Sequence, residues 1–346
     1  MKIKYIKLAL LILVTSTVIF AGPRSKRGLS AAPELLIPVG SVGTSLGGSN
    51  LSSTSGIDAL YWNPAGLANT QGTGEVMFSH QRYIADINLN YAAGSYSIPG
   101  FGVFGLSIKT MDFGDIPVTT VEAPDGTGAT YSPTYITAGL TFARNMTDRI
   151  KFGATLKLIS EKIALVSATG FAADFGLQYF VGNTGLKFGI ALKNIGPSMS
   201  FDGTGLEGFY TPVGTTGNTP PEPRRIILGS FELPSTLELG ISYDLRAGKN
   251  NTISFSGAYQ NAAFTADEYK IGMEYNYKKL FYLRGAYVAS QDMFDSDINK
   301  DDILFGPTFG AGINYQFGKT TLGLDYAFRY TKRFSHNQFF TLKLGF

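Results

Sequence analysis

Of the side chains that carry most catalytic and metal chemistry, the sequence offers few: two histidines, His80 and His336, and no cysteine among 346 residues. Without Cys there is no disulfide framework, thiolate zinc site, thiol nucleophile or lipidated N-terminal cysteine. Several glycine motifs imitate known sites. Gly43-Thr44-Ser45-Leu46-Gly47 has the spacing of a nucleophile elbow. That device needs a strand before it and a histidine to serve it, and neither is at hand. Gly203/Gly205/Gly208 and Gly100/Gly102/Gly105 fit the dinucleotide fingerprint. The first lies in a loop and the second at a hairpin and strand, so neither opens the helix that would hold a pyrophosphate. Gly312 with Gly318-Lys319-Thr320 resembles a phosphate loop with one residue too many. Asp295, Asp297, Asn299 and Asp301 alternate oxygen ligands as a calcium loop does, but Lys300 replaces the turn glycine and Gly306 the closing Glu. A solvated loop accounts for them better. The residues imply no catalytic set, cofactor or resident metal.

The elements that would have to position any site are therefore the more informative level. The chain has 42 Gly, 26 Phe, 19 Tyr and one Trp, with only 16% charged residues, against roughly 25% charged and 7% Gly in soluble domains. Mean hydropathy is +0.06, too high for disorder. Past residue 21 no apolar run is long enough for a membrane helix. Residues 1–21 read as a secretory signal peptide: Lys2, Lys4 and Lys7, an apolar stretch from Leu8 to Phe20, then small Ala21 and Gly22. A retained anchor is disfavoured because Thr15-Ser16-Thr17 breaks a segment already too short to span. Removing the three lysines leaves 26 basic and 26 acidic residues, so nucleic acid is not an expected partner.

From residue 74 onward the chain alternates apolar and polar with period two. In Thr236–Leu245, Leu237, Leu239, Ile241, Tyr243 and Leu245 oppose Glu238, Gly240, Ser242 and Asp244. A soluble sandwich also alternates, but its exposed face would be dense in Lys and Glu. Here the polar face is small with scattered charge, and the apolar face ends in aromatics, as in a transmembrane barrel. Strands are expected near 74–82, 88–98, 101–112, 133–144, 149–161, 169–180, 184–195, 235–246, 252–261, 267–277, 280–290, 303–317, 319–330 and 335–346. That makes an all-β, 14-stranded antiparallel transmembrane β-barrel over residues 74–346. Tight links at 99–100, 145–148, 181–183, 247–251, 278–279 and 318 alternate with long ones at 113–132, 196–234 and 291–302. Short turns belong to the periplasm and long loops to the outside, so loop parity supports the strand count. The chain ends on an aromatic strand with Phe340, Leu342, Leu344 and Phe346 outward.

Inward positions carry Lys151, Lys157, Asp174, Lys187, Lys193, Glu238, Asp244, Lys270, Glu274, Arg284, Asp325, Arg329 and Lys343. Mixed signs favour a salt-bridge network around a plug over an ion pathway. Residues 22–73 are expected to form a periplasmic arm and a hatch folded into the lumen. The alternative is a disordered tail. Trp62-Asn63-Pro64-Ala65-Gly66 and the apolar residues around it argue for docking.

Gly40-Ser41, Ser45-Leu46-Gly47-Gly48 and Asp58-Ala59-Leu60-Tyr61-Trp62-Asn63-Pro64-Ala65-Gly66-Leu67-Ala68 resemble the N-terminal signature of the PorV/PorQ family, within the wider FadL-like outer-membrane group. The likeness continues through Asp174–Leu177, Lys193–Gly196, Leu233–Gly240 and Leu283–Tyr287, and so covers essentially the mature chain. Leu46 and Ser49 depart from the family's usual Met and Ala, and the Pro-rich 196–234 loop is individual. The resemblance implies a type IX secretion role: binding exported cargo proteins through their C-terminal signal domains and handing them to other secretion-system subunits. The terminal aromatic strand separately resembles the signal by which the barrel assembly machinery recognises outer-membrane barrels, and the apolar outward face implies outer-membrane lipid as the surroundings. The alternative function is a FadL-like channel for hydrophobic small molecules, using the hatch and a strand interruption as a lateral exit. An enzyme is a distant third.

Overall fold

The computed structural model describes residues 26–211, 220–294, 296 and 304–346. Both the signal segment and the candidate calcium ligands Asp295, Asp297, Asn299 and Asp301 lie outside them. Fourteen antiparallel strands close into a barrel. The first seven are β1 (Gly74–Arg82), β2 (Asn88–Ile98), β3 (Gly102–Asp112), β4 (Thr134–Asn145), β5 (Ile150–Ile163), β6 (Val166–Phe180) and β7 (Leu186–Ile195). The second seven are β8 (Thr236–Ala247), β9 (Asn251–Ala262), β10 (Glu268–Tyr277), β11 (Phe281–Ser290), β12 (Phe305–Phe317), β13 (Thr320–Thr331) and β14 (Asn337–Gly345). The barrel closes where β1 pairs with β14, with Phe78 opposite Leu342 and His80 opposite Phe340.

Alternation sorts the side chains. Leu106, Leu156, Ile271 and Leu283 are each more than 60% exposed in mid-strand. Such a belt would be a liability in water and is what lipid requires. Phe101, Phe104 and Phe142 cluster at the short-turn end with ring centroids 5.1 to 5.9 Å apart, forming part of an aromatic girdle. The protein is an outer-membrane barrel. Its tight turns use left-handed backbone. Gly318 meets this at φ 61° in the two-residue β12–β13 turn, whereas the three-residue β10–β11 turn puts Lys278 and Lys279 at φ 54° and 56°. Two loops add hairpins of their own, Ile116–Pro117 with Thr130–Tyr131 and Glu207–Tyr210 with Glu222–Arg225.

The lumen is filled by residues 33–69, built from short helical pieces: Pro33–Leu36, α1 (Ser41–Ser45), Ser49–Ser52, Gly56–Asp58, α2 (Ala59–Trp62) and Pro64–Asn69. Pieces this short do not hold a helix alone, so wall contacts supply the stability. Val39, Ile57, Leu60 and Leu67 form one core with Met77, Leu89, Tyr91 and Val103 of the wall. Ala32 and Leu35 form another with Ile159, Ala172, Met199 and Leu233.

The start of the described segment lies at the long-loop mouth. Arg27 pairs with Asp292 at 2.7 Å, Lys26 with Glu232 at 3.5 Å, and Ala31 N–H bonds Glu232 O at 2.9 Å. These partners belong to the long-loop mouth. The described chain therefore starts there, descends through the lumen and reaches the short-turn end at Gly74, beside Phe346. Burial of Ala32 and Leu35 outweighs the solvation of the neighbouring cations.

Candidate functional site: the hatch, its wall and an open seam

The hatch sits closely because the wall facing it is glycine. A Cβ on Gly176 would overlap Asn63 and come within 2.9 Å of Ala65 N. A Cβ on Gly153 would overlap the Pro64 backbone, and one on Gly189 would lie 2.7 Å from Ser52 Cα. The small inward face therefore reflects close backbone approach. Asn63 is fully buried. Its Oδ1 accepts from Ala65 N at 3.2 Å and its Nδ2 donates to Leu51 O at 3.0 Å. Ala65 and Gly66 are buried in the following 3₁₀ turn, which Asn63 caps and Pro64 starts. Trp62 Nε1 donates to Val39 O at 3.2 Å, and its ring meets Tyr61 edge-on at 5.0 Å. The five motif residues thus lie together at the centre of the plug, against β5 and β6.

Most inward charges are paired. Lys157 meets Asp174 at 2.6 Å, Lys187 meets Asp244 at 2.6 Å and Lys193 meets Glu238 at 2.8 Å. Arg284 bridges Glu274 at 2.6 Å and Asp325 at 2.7 Å. Lys343 joins Asp325 at 3.0 Å to Asp58 of the hatch at 2.8 Å, and Lys151 lies 4.3 Å over the Phe180 ring. Two further cations hold the hatch directly. Lys109 donates to the Glu34 and Ile37 carbonyls at 2.5 and 2.6 Å, and Lys193 lies 4.9 Å over Tyr61. On the arm, burial first and the Glu161 carboxylate second push the Glu34 carboxyl up to about 8. The terminal residues Phe340, Leu342, Leu344 and Phe346 face outward, 38 to 53% exposed.

Below the hatch, a cavity of about 1380 Å³ opens among the short turns, lined by polar groups such as Asn50, Asn183, Ser254, Asn276 and Gln316. Above it, the wall is interrupted. β11 and β12 pair only from Phe281–Ile313 to Ala286–Thr308. Tyr287–Ser290 remain bonded to β10 on the other side, and Phe305 stays opposite Thr331 of β13 after a register shift between Phe305 and Thr308. The cause is Gly306-Pro307. Proline has no N–H to give the ladder, and glycine tolerates the bulge. A cavity of about 250 Å³ occupies this seam, lined by Val288, Met293, Leu304, Phe305, Glu268 and Arg329. The hatch reaches its lower edge: Thr308 Oγ1 donates to Ser45 O at 3.2 Å. Period-two reading treats 303–317 as continuous strand and so misses the seam. The Gly-Pro pair inside a strand is the signal that marks it.

The sequence matches no family profile and no curated protein. Its fold does match solved structures. The toluene transporter TodX of Pseudomonas putida is 14% identical over 88% of this chain and 96% of its own, with a TM-score of 0.55. This is the fold of the FadL-like outer-membrane barrels. The toluene transporter TbuX of Ralstonia pickettii is 14% identical, covering 89% of this chain and 98% of its own at 0.51. A Pseudomonas aeruginosa FadL homologue is 11% identical, covering 89% and 98% at 0.50. These neighbours are channels, and they share the barrel with this chain at an identity that speaks for fold alone.

Proposed function

We propose that this barrel is an outer-membrane channel for hydrophobic small molecules that releases them sideways through the β11–β12 seam. The observation that carries this reading is the pairing of a plugged lumen with an unplugged wall. The hatch blocks the straight route, and the cavity below it is polar. The seam above it is a gap in the wall, and Val288, Met293, Leu304 and Phe305 give it an apolar side beside Glu268 and Arg329. The channel neighbours, two of them toluene transporters by name, support the same direction. The type IX secretion role implied by the PorV/PorQ resemblance draws no support from those neighbours, so the uptake reading is preferred.

The test uses the absence of native cysteine. Ser290→Cys with Leu304→Cys places one thiol on each side of the seam, to be bridged by a bis-maleimide. Uptake of labelled toluene by cells carrying the double variant should drop to background once bridged, relative to the same variant unbridged. Unchanged uptake at full bridging would refute lateral exit. Affinity isolation that recovers exported proteins sharing a C-terminal domain would restore the secretion reading.

A further inference from the structure

The short turns carry a charge that their own acids do not balance. The six links at that end hold Arg149, Lys249, Lys278, Lys279 and Lys319 against Asp148 alone. At the other mouth the 113–133 link by itself holds Asp115, Glu122 and Asp125 and no cation. Three cations line the cavity below the hatch: Arg246 at the foot of β8, Lys279 in the β10–β11 turn and Lys319 in the β12–β13 turn. The acids of that cavity are engaged elsewhere. Asp244 takes Lys187 at 2.6 Å and Ser254 Oγ at 2.8 Å, and Glu274 takes Arg284 at 2.6 Å. Asp58 takes Lys343 at 2.8 Å, Glu75 accepts from Ile57 N at 2.6 Å, and the terminal Phe346 carboxylate accepts from Thr73 and Gly74 N. None of Arg246, Lys279 and Lys319 has an ion pair among the described residues. Their neighbour Lys278 serves the other side of the wall, 5.3 Å over the ring of outward-facing Tyr277, where a bilayer headgroup would meet it. The adjacent lysines thus divide one turn between lipid and lumen.

We infer that the cavity below the hatch is a docking site for an acidic, extended segment of a periplasmic protein. Charge selects the class, because three unopposed cations on one arc of a low-dielectric wall focus an attractive field on carboxylates. Size selects a chain over a metabolite. A volume of about 1380 Å³ exceeds the roughly 300–1,000 Å³ of a small-molecule pocket, and the seated hatch closes its upper end. Spacing gives the pattern. β8 to β13 are consecutive neighbours in the wall, and strands lie about 4.8 Å apart. Roughly two strands separate each cation from the next, which sets them on the order of 10 Å apart. An extended chain rises about 3.3 Å per residue, so acids at every third position meet successive cations. Asn276 and Gln316, on the same arc, offer amides to the segment's backbone. Phospholipid headgroups fit less well, because the wall stands between the bilayer and these three side chains.

This site is independent of whatever solute the seam passes. The probes are a fluorescent Ser/Gly peptide with Glu at every third position and its Gln counterpart, offered to the full-length barrel in phosphatidylcholine nanodiscs and read by anisotropy. The Glu peptide should bind about tenfold or more tightly than the Gln peptide, as charge-assisted contacts allow. Added salt should erase the difference, because charges at an open mouth are screened. The triple variant Arg246→Gln, Lys279→Gln, Lys319→Gln should lose about tenfold, whereas Lys278→Gln should stay within about twofold of wild type. The comparison of the two peptides uses wild-type protein, so a misfolded variant does not decide the outcome. Equal binding of both peptides, or binding of neither at millimolar concentration, overturns the docking site. So does an equal loss through Lys278→Gln alone. Phosphatidylglycerol that co-purifies with wild type and not with the triple variant would give the three cations to lipid headgroups and overturn it as well.

Discussion

The seating of the hatch on glycine predicts what one methyl group should do. In Gly153→Ala the new Cβ overlaps the Pro64 carbonyl and lies 2.6 Å from Ala65 N. Both neighbours are backbone and cannot turn aside. An ordinary contact begins near 3.4 Å, so the Asn63–Ala65 turn must retreat by about 1.1 Å to clear the Pro64 carbonyl. That retreat strains the bonds from Asn63 and Gln178 to Leu51 O, now 3.0 and 3.2 Å long. Overpacking of this kind costs about 1–3 kcal/mol, which raises the open-hatch population by a factor of about 5 to 150. The control is Gly257→Ala, whose Cβ would meet nothing nearer than 3.7 Å. In planar bilayers, wild type and Gly257→Ala should hold a closed baseline, while Gly153→Ala should show brief conducting events. The heat-modifiable gel mobility of the folded barrel should persist in all three. A Gly153→Ala baseline indistinguishable from wild type would mean that the plug does not press on β5 as described.

Other perturbations probe different parts of the lumen. Asp325→Asn leaves Arg284 and Lys343 sharing fewer anions in a site where the Arg284 and Asp325 side chains are 4% and 1% exposed. Breaking a buried pair this way costs about 3–5 kcal/mol, read as a lower urea midpoint for unfolding. Docking of the arm should depend on pH. Glu34 holds its proton up to about 8 when docked and to about 4.5 when free, so docking is strongest below 4.5 and weakens as pH climbs toward 8. Glu161, Lys109 and Tyr135 surround it. A spin label at Leu29→Cys should become more mobile across that window, and Glu34→Gln should flatten the response. A label equally mobile at pH 5 and pH 8 would rule out the carboxyl pair as a latch.

The sequence makes the wall legible because period two is a local signal, and Leu237 to Leu245 declare their outward face without knowing their neighbours. The plug is legible more coarsely: Trp62 and Asn63-Pro64-Ala65 are too apolar and too specific to be left in water. Its path is not legible. Lys26 and Arg27 read as a solvated arm, and only the distant Asp292 and Glu232 reveal that they brace the outer mouth. The inward glycines illustrate the same limit. Gly153, Gly176 and Gly189 are visible as a small-residue face, but the reason for it is a backbone that arrives from 90 to 140 residues away. The unpaired edge of β11 is non-local too, since Tyr287–Ser290 look like any other strand until β12 turns from them at Pro307.

The proposed lateral route follows from where apolar area can be hidden. A single-ring solute that leaves the seam downward enters the polar cavity among the short turns and meets water. One that leaves sideways enters hydrocarbon. Apolar burial is worth roughly 25 cal/mol per Å², so a solute hiding on the order of 100 Å² favours the sideways exit by about 2.5 kcal/mol, close to a hundredfold. No motion of the hatch is needed to obtain that bias. An unbroken wall would force every solute past Trp62 and through the ion-pair network, whereas a break at Gly306-Pro307 above the hatch leaves the plug seated and still gives the solute a downhill path. A seam below the hatch would have required the plug to open first. Under the proposed uptake reading, its position above the hatch separates passage of the solute from sealing of the membrane.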